Sequence, residues 1–107
     1  MKVVVLYVEG CPSRELAESR VELAAQRVGL PVDLRSQMVE SVAEANLLGF
    51  RGSPTLLIDG ADVFGGNSGQ DGLACRLYRT ADGVEGAPSL DDLIRAISPP
   101  QRPADDV

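Results

Sequence analysis

The N-terminal part of the chain shows two hydrophobic patterns in succession. Residues 2–8 form a short run that is apolar from Val3 onward and rich in β-branched side chains, which is typical of a strand buried on both faces of a mixed or parallel sheet. From Pro12 to Val28 the spacing changes to that of an amphipathic helix. The apolar positions of this helix are Ala17, Val21, Ala24 and Val28, with Leu16 and Leu23 widening the stripe. Gly29 is expected to end it.

The middle of the chain repeats the alternation of strand and helix. Residues 30–36 predict a second strand, and residues 39–50 predict a second amphipathic helix closed by Gly49. A third strand is expected from Thr55 onward, directly after a proline.

The C-terminal part contains a hairpin and a last helix. Residues 59–72 hold five glycines and predict a flexible hairpin loop, from which residues 73–80 return as a strand antiparallel to the third one. Residues 87–97 predict a helix with Ser89 as its N-cap and Asp92 in the capping-box position.

The predicted order of elements is β-α-β-α-β-β-α, which indicates an α/β fold with a central mixed sheet flanked by helices. A chain of 107 residues is long enough for one domain with its own core. We expect that domain to span residues 1–97. Residues 98–107 are rich in proline and charge, so we expect a disordered tail.

Charge and composition exclude several classes of function. The net charge of −6 argues against a nucleic-acid or anionic-membrane partner. No apolar run approaches the roughly 20 residues of a membrane span, and residues 2–8 are too short for a signal peptide. We therefore expect a cytoplasmic protein. The glycine-rich loop lacks the lysine of a phosphate-binding loop and the spacing of a calcium loop, so no cofactor is expected.

The chain has two cysteines and no histidine. Cys11 and Cys75 are 64 positions apart, which is no disulfide framework, and a reducing compartment would keep both as thiols. The absence of histidine removes the usual general base, the commonest metal ligand and any Cys-His catalytic pair. We expect no metal site.

Cys11 is the strongest candidate for chemistry. Pro12 suits the first position of a helix, which would make Cys11 the N-cap and turn its sulfur toward the free amides of the first turn. Such a helix end stabilises an anion by about 0.3–1 kcal/mol. Arg14 should assist the thiolate, whereas Glu9 and Glu15 oppose it. The alternative is that Cys11 is a small turn residue without chemistry.

The order of elements, the segment "CPSR" at the first helix and the segment "SPT" before the third strand resemble the thioredoxin fold. The resemblance extends to about Ile97 and is closest to small bacterial thioredoxin-like proteins with "GSPT", "LIDG" and "GLACRLY" segments, some labelled alkylmercury lyase-like. It implies a cis peptide bond between Ser53 and Pro54, facing Cys11. It also implies an exposed Ser53 backbone that pairs with an extended substrate.

The resemblance departs from the dithiol members of the family at Arg14, which stands where they have a second cysteine. The segment "CPSR" resembles single-cysteine versions, as in monothiol glutaredoxins and peroxiredoxin-like proteins. Cys75 is the remaining thiol that could resolve a mixed disulfide on Cys11. If Asp59 lies near Leu73, Cys75 is opposite Leu57 and about 10 Å from the Cys11 end of the sheet. That distance exceeds disulfide reach and favours a core role, although a resolving role stays open.

The leading hypothesis is a thiol–disulfide redox protein with Cys11 as nucleophile, Arg14 as its assistant and Cys75 as a tentative third catalytic residue. The residues expected to contact substrate are Pro12, Ser53 and Pro54. The expected partner is a protein or a low-molecular-weight thiol or disulfide, with an external thiol such as glutathione or mycothiol completing the cycle. The alternatives are a thiol-based protein that binds mercury, organomercurials or soft metals, and a redox-inert interaction module.

Overall fold

The computed structural model describes residues 1–64, 76–81 and 83–98. Within these ranges the chain is a mixed α/β fold with three helices and a small mixed sheet. The helices are Arg14–Val28 (α1), Val42–Leu48 (α2) and Leu90–Ile97 (α3). The strands are Lys2–Tyr7 (β1), Asp33–Met38 (β2), Thr55–Ile58 (β3), Tyr78–Thr80 (β4) and Gly83–Glu85 (β5). The predictions for the disordered tail and for the loop beyond residue 64 fall outside the described residues.

The three-stranded sheet has the order β2-β1-β3, so β1 lies at its centre. β1 runs parallel to β2, with Val3 beside Leu34, and antiparallel to β3, with Leu6 beside Thr55. The prediction of a mixed sheet is therefore confirmed. Because β1 and β3 are antiparallel, the residues that follow β1 and those that precede β3 meet at the same end of the sheet.

Side chains on the two faces of β1 enter two separate hydrophobic cores. Val3 and Val5 are fully buried in the larger core, whose other buried members come largely from α1, β3 and α3: Ala17, Val21, Ala24, Leu56, Ile58, Tyr78, Ala87, Leu93 and Ile97. Leu6 packs on the opposite face in a smaller core with Val39, Ala45 of α2 and Phe50. The prediction that β1 is buried on both faces is confirmed.

Two leucines of α1 lie on its exposed side instead of in the core. Ala17, Val21 and Ala24 are fully buried as predicted, but Leu16 and Leu23 are 40% and 44% exposed. The sheet and α3 cover one side of α1, so a narrow line of small residues is enough to fill the interface. The prediction that the two leucines widen the buried stripe is wrong.

The predicted C-caps of α1 and α2 and the predicted N-cap of α3 are confirmed. Gly29 and Gly49 both adopt the left-handed C-cap conformation, and the Ser89 hydroxyl accepts a hydrogen bond from the Asp92 amide at 3.0 Å. The amide of Leu30 donates to Ala25 O at 3.3 Å, so this residue still caps α1. For that reason β2 begins at Asp33 rather than at Leu30, where the sequence pattern placed it.

The fourth strand differs from its prediction. Tyr78–Thr80 pairs antiparallel with Gly83–Glu85, a strand that the pattern did not predict, and within the described residues it does not pair with β3. The Thr80 hydroxyl donates to Gly83 O at 3.0 Å across the turn. The sequence signal that could have indicated this hairpin is the dipeptide Asp82–Gly83, which is common in tight hairpin turns.

Candidate functional site

The candidate site lies at the end of the sheet where β1 stops and β3 begins. The Cys11 amide donates to Val8 O at 3.1 Å, and the Val8 amide donates to the Ser53 hydroxyl at 3.1 Å. Cys11 is a partly exposed free thiol, whereas Ser53 and Pro54 directly precede β3. The sheet topology therefore brings together three residues that the sequence singled out.

Cys11 is not the N-cap of α1, contrary to the prediction. The N-cap is Ser13, because the first hydrogen bond of the helix runs from the Ala17 amide to Ser13 O at 3.0 Å. Cys11 instead ends the tight turn that its amide closes, and Pro12 precedes the cap. The Ser13 side chain makes no capping bond and lies against Gly86, where an added Cβ would be 2.0 Å from the Ser13 hydroxyl oxygen.

Arg14 holds α1 against β1. Its guanidinium lies over the ring of Tyr7, 4.6 Å from the centroid, and forms an ion pair with Glu18 at 3.3 Å. The same carboxylate accepts a hydrogen bond from the Ser36 hydroxyl in β2. Among the described residues no hydrogen bond joins Arg14 to Cys11, so its assistance to the thiol stays a prediction.

The Ser53–Pro54 peptide bond is cis, as predicted. The segment is not exposed, however, since Ser53 retains only 1% of its accessible surface and Pro54 is also buried. Ser53 O already accepts a hydrogen bond from the Arg76 amide at 2.9 Å. The prediction of an exposed Ser53 backbone is therefore wrong, because another part of the chain occupies that side of the segment.

The same hydrogen bond corrects the expected register of the returning chain. A register with Cys75 opposite Leu57 would place Arg76 opposite Leu56, but Arg76 lies beside Ser53. The chain thus returns closer to the Cys11 end of the sheet than the sequence indicated. Cys75 itself lies outside the described residues, and both its core role and its resolving role stay predictions.

A buried ion pair beside Ser53 was not predicted from the sequence. Arg76 and Asp62 are joined at 2.8 Å, and their side chains are 8% and 9% exposed. The guanidinium also lies over the Tyr78 ring, 4.5 Å from its centroid, and Phe64 contacts that ring edge-on at 6.0 Å. The available signal was weak: Asp62 lies within the glycine-rich segment and Arg76 follows it, but nothing in a sequence pattern shows that the two charges meet.

Tyr78 connects this cluster to the proline and to the cysteine. Its hydroxyl donates a hydrogen bond to Pro54 O. Burial raises the pKa of Tyr78 well above its ordinary value, an effect that Arg76 opposes and that the charges of Asp62 and Cys11 reinforce. The phenol therefore stays neutral and remains a hydrogen-bond donor near Cys11.

The raised pKa of Tyr78 predicts a loss of stability in alkali. Above about pH 10 the unfolded chain releases the tyrosine proton while the folded chain retains it. The free energy of unfolding should then fall by up to about 1.4 kcal/mol per pH unit. Tyrosinate absorbance in a Tyr7→Phe variant, in which Tyr78 is the remaining tyrosine, measures the folded pKa directly. The prediction fails if folded and urea-unfolded proteins ionise at the same pH, and Tyr78→Phe should abolish the extra alkaline slope.

A groove of about 400 Å³ lies between the hairpin, α1 and α3. Arg20 crosses it and donates to Glu85 at 2.7 Å and to Pro88 O at 3.0 Å. The hydrogen bond from Arg20 holds the pKa of Glu85 below its ordinary value. Among the described residues, none that lines this groove belongs to the cluster around Cys11.

Within the described residues no cluster of three or more His, Cys, Asp or Glu side chains could hold a metal ion. None of the three described helices combines the length and the apolar character needed to cross a membrane. The chain matches no protein-family model, no curated protein and no solved structure.

Proposed function

We propose that the protein has a thioredoxin-like fold and carries out thiol–disulfide exchange through the single site cysteine Cys11. The observation that carries this proposal is the hydrogen-bonded connection from Cys11 through Val8 to Ser53. It supports a fixed, partly exposed thiol beside the Ser53–Pro54 segment. In this way Ser53, which lies 45 positions after Val8, fixes the turn that ends at Cys11.

The proposed chemistry needs only the thiol and two small reactants. The Cys11 thiolate attacks one sulfur of a disulfide, a new sulfur–sulfur bond forms, and the other sulfur leaves with the electron pair and is protonated. An external thiolate then attacks the mixed disulfide and regenerates Cys11. This second step requires an outside thiol because Arg14 occupies the place of the second cysteine in a dithiol motif.

The surrounding residues have distinct parts in this proposal. Pro12 follows Cys11 in the chain, the Ser53–Pro54 segment is joined to Cys11 through Val8, and Arg14 aligns the start of α1 through its contact with Tyr7. Cys75 is proposed as a secondary thiol whose reaction with Cys11 is not required. A reducing compartment such as the cytoplasm would keep Cys11 in its reactive form.

The test is the reaction of Cys11 with bis(2-hydroxyethyl) disulfide in the wild type and in the Cys11→Ser and Cys75→Ser variants. We expect an adduct on Cys11 that dithiothreitol removes, formed in the wild type and in Cys75→Ser at similar rates. We also expect Cys11 to react faster than N-acetylcysteine under the same conditions, because a thiol whose function is exchange must outcompete the free thiols around it. Mass spectrometry of the digested protein locates the adduct.

Other results would point to the alternatives. Modification of Cys75 with Cys11 untouched would contradict the proposal, as would a Cys11 rate no greater than that of N-acetylcysteine. The second result would favour a redox-inert interaction module. Stoichiometric binding of Hg²⁺ that is lost in both single-cysteine variants, without disulfide exchange, would favour a mercury-binding protein.

A further inference from the structure

The chain's own segment 76–78 fills the positions beside Ser53 and Pro54 that a substrate strand would need. The Arg76 amide donates to Ser53 O at 2.9 Å, and the Tyr78 hydroxyl donates to Pro54 O. Ser53 is 1% exposed. An extended peptide that joined this edge as an added strand would have to displace both hydrogen bonds.

This segment is held in place from two further sides. The Arg76 side chain is locked by its buried ion pair with Asp62. Its backbone lies so close to Gly52 that a Cβ on Gly52 would be 2.7 Å from Arg76 Cβ. Displacing the segment would therefore separate a buried charge pair as well as two hydrogen bonds, which is strongly unfavourable.

Cys11 stays accessible from another direction. The thiol is partly exposed, and its chain neighbours Gly10 and Pro12 are exposed. A small disulfide can reach the sulfur from this side without any pairing to the Ser53 backbone.

We propose that Cys11 exchanges with low-molecular-weight disulfides rather than with extended peptide disulfides, and that Arg76 and Tyr78 are the residues that set this specificity. The inference rests on the proposed function of Cys11. In the first step the Cys11 thiolate forms a mixed disulfide with one half of the small disulfide, and the other half leaves as a thiol. In the second step a small thiol forms a new small disulfide and releases Cys11, so the exchange balances without any further oxidant.

The experiment compares three uncharged substrates with the Cys75→Ser protein. The first is bis(2-hydroxyethyl) disulfide. The second is a ten-residue peptide whose central cysteine carries 2-mercaptoethanol as a mixed disulfide. The third is the same peptide with N-methylated amides on both sides of the cysteine. Because a thiolate can attack either sulfur of a mixed disulfide, the rate that is compared is the release of 2-mercaptoethanol, which can leave in all three reactions. Each rate is divided by the corresponding rate with N-acetylcysteine.

We expect a normalised preference of about fivefold or more for the small disulfide, since two hydrogen bonds oppose pairing by the peptide. We also expect equal rates for the two peptides within about twofold, because no backbone pairing contributes. A smaller preference, or a slower reaction of the methylated peptide, would overturn the inference and leave the proposed function intact. The absence of reaction with all three substrates would overturn the proposed function itself.

The Tyr78→Phe variant tests whether segment 76–78 causes this preference. Tyr78→Phe keeps the ring but removes the bond to Pro54 O, so it should lower the small-disulfide preference by about twofold or more. Arg79→Gln, at an exposed neighbour in β4, is the matched control and should leave the preference unchanged. An unchanged preference in Tyr78→Phe would overturn the role of this segment. If Tyr78→Phe does not fold, the comparison of the three substrates with the Cys75→Ser protein still tests the preference for small disulfides.

Discussion

Replacement of Asp62 with alanine is expected to lower the free energy of unfolding by about 3–5 kcal/mol, because it leaves a buried guanidinium without its counter-charge. The two side chains are 8% and 9% exposed, and the Arg76 guanidinium makes bonds of 2.8 and 3.3 Å to the two carboxylate oxygens. The Phe64 amide, which donates to the same carboxylate at 3.0 Å, loses its acceptor too. Urea denaturation followed by circular dichroism measures the change.

Two controls show whether the loss of stability comes from the burial of the ion pair or from the removal of any charge. Asp33→Ala removes an exposed pair with Arg35, whose side chains are 54% and 66% exposed, and should cost less than about 1 kcal/mol. The double variant Asp62→Leu with Arg76→Met replaces both charges with apolar groups and should recover much of the stability. Equal costs for Asp62→Ala and Asp33→Ala would contradict the prediction.

The ion pair also connects stability with access to the site. Asp62 fixes the side chain of Arg76, and the Arg76 backbone amide occupies Ser53 O. Loss of the carboxylate should therefore loosen the same segment that excludes an extended peptide. A residue with no contact to substrate would in this way influence which substrates reach Cys11.

The features of the fold that the sequence predicted correctly depend on a few neighbouring residues. A glycine after an apolar stripe ends a helix wherever that helix packs, as Gly29 and Gly49 do. The serine three positions before Asp92 caps α3 by a contact within one turn. The continuous apolar run of β1 requires burial on both faces whatever covers them.

The position of Cys11 depends on a distant part of the chain. Two starts of α1 are compatible with local preferences: Pro12 suits the first helical position, and Ser13 suits the N-cap position. The turn from Val8 to Cys11 decides between them, and Val8 is fixed by the hydroxyl of Ser53. A sequence pattern read along the chain contains no information about this long-range hydrogen bond.

The register of the returning chain was unpredictable for a related reason. The connection between β3 and Arg76 is long, and the length of a long loop does not determine which residues at its two ends lie side by side. The position of Arg76 is determined instead by its contacts with Asp62, Ser53 and Gly52. All three are tertiary contacts, and no periodicity in the sequence between Asp62 and Arg76 reveals them.

Gly52→Ala is expected to destabilise the protein by about 2–6 kcal/mol through two effects. Gly52 has a φ of +112°, a conformation in which a residue with a side chain is strained by about 1–3 kcal/mol. Its Cβ would also lie 2.7 Å from Arg76 Cβ and 3.2 Å from Arg76 Cα. Overpacking of this kind costs about 1–3 kcal/mol more, since the segment against it is held by the buried ion pair.

Gly60→Ala is the matched control, because Gly60 has a φ of +89° but nothing within 4 Å of an added Cβ. It should show the backbone strain alone, so the difference between the two variants measures the close approach of Gly52 to Arg76. Both variants are compared by urea denaturation. If Gly52→Ala costs no more than Gly60→Ala, segment 76–78 yields readily and does not close the edge beside Ser53. We expect Gly52→Ala to be the more damaging and, in the protein that still folds, to shift Cys11 toward peptide disulfides as Arg76 is pushed away.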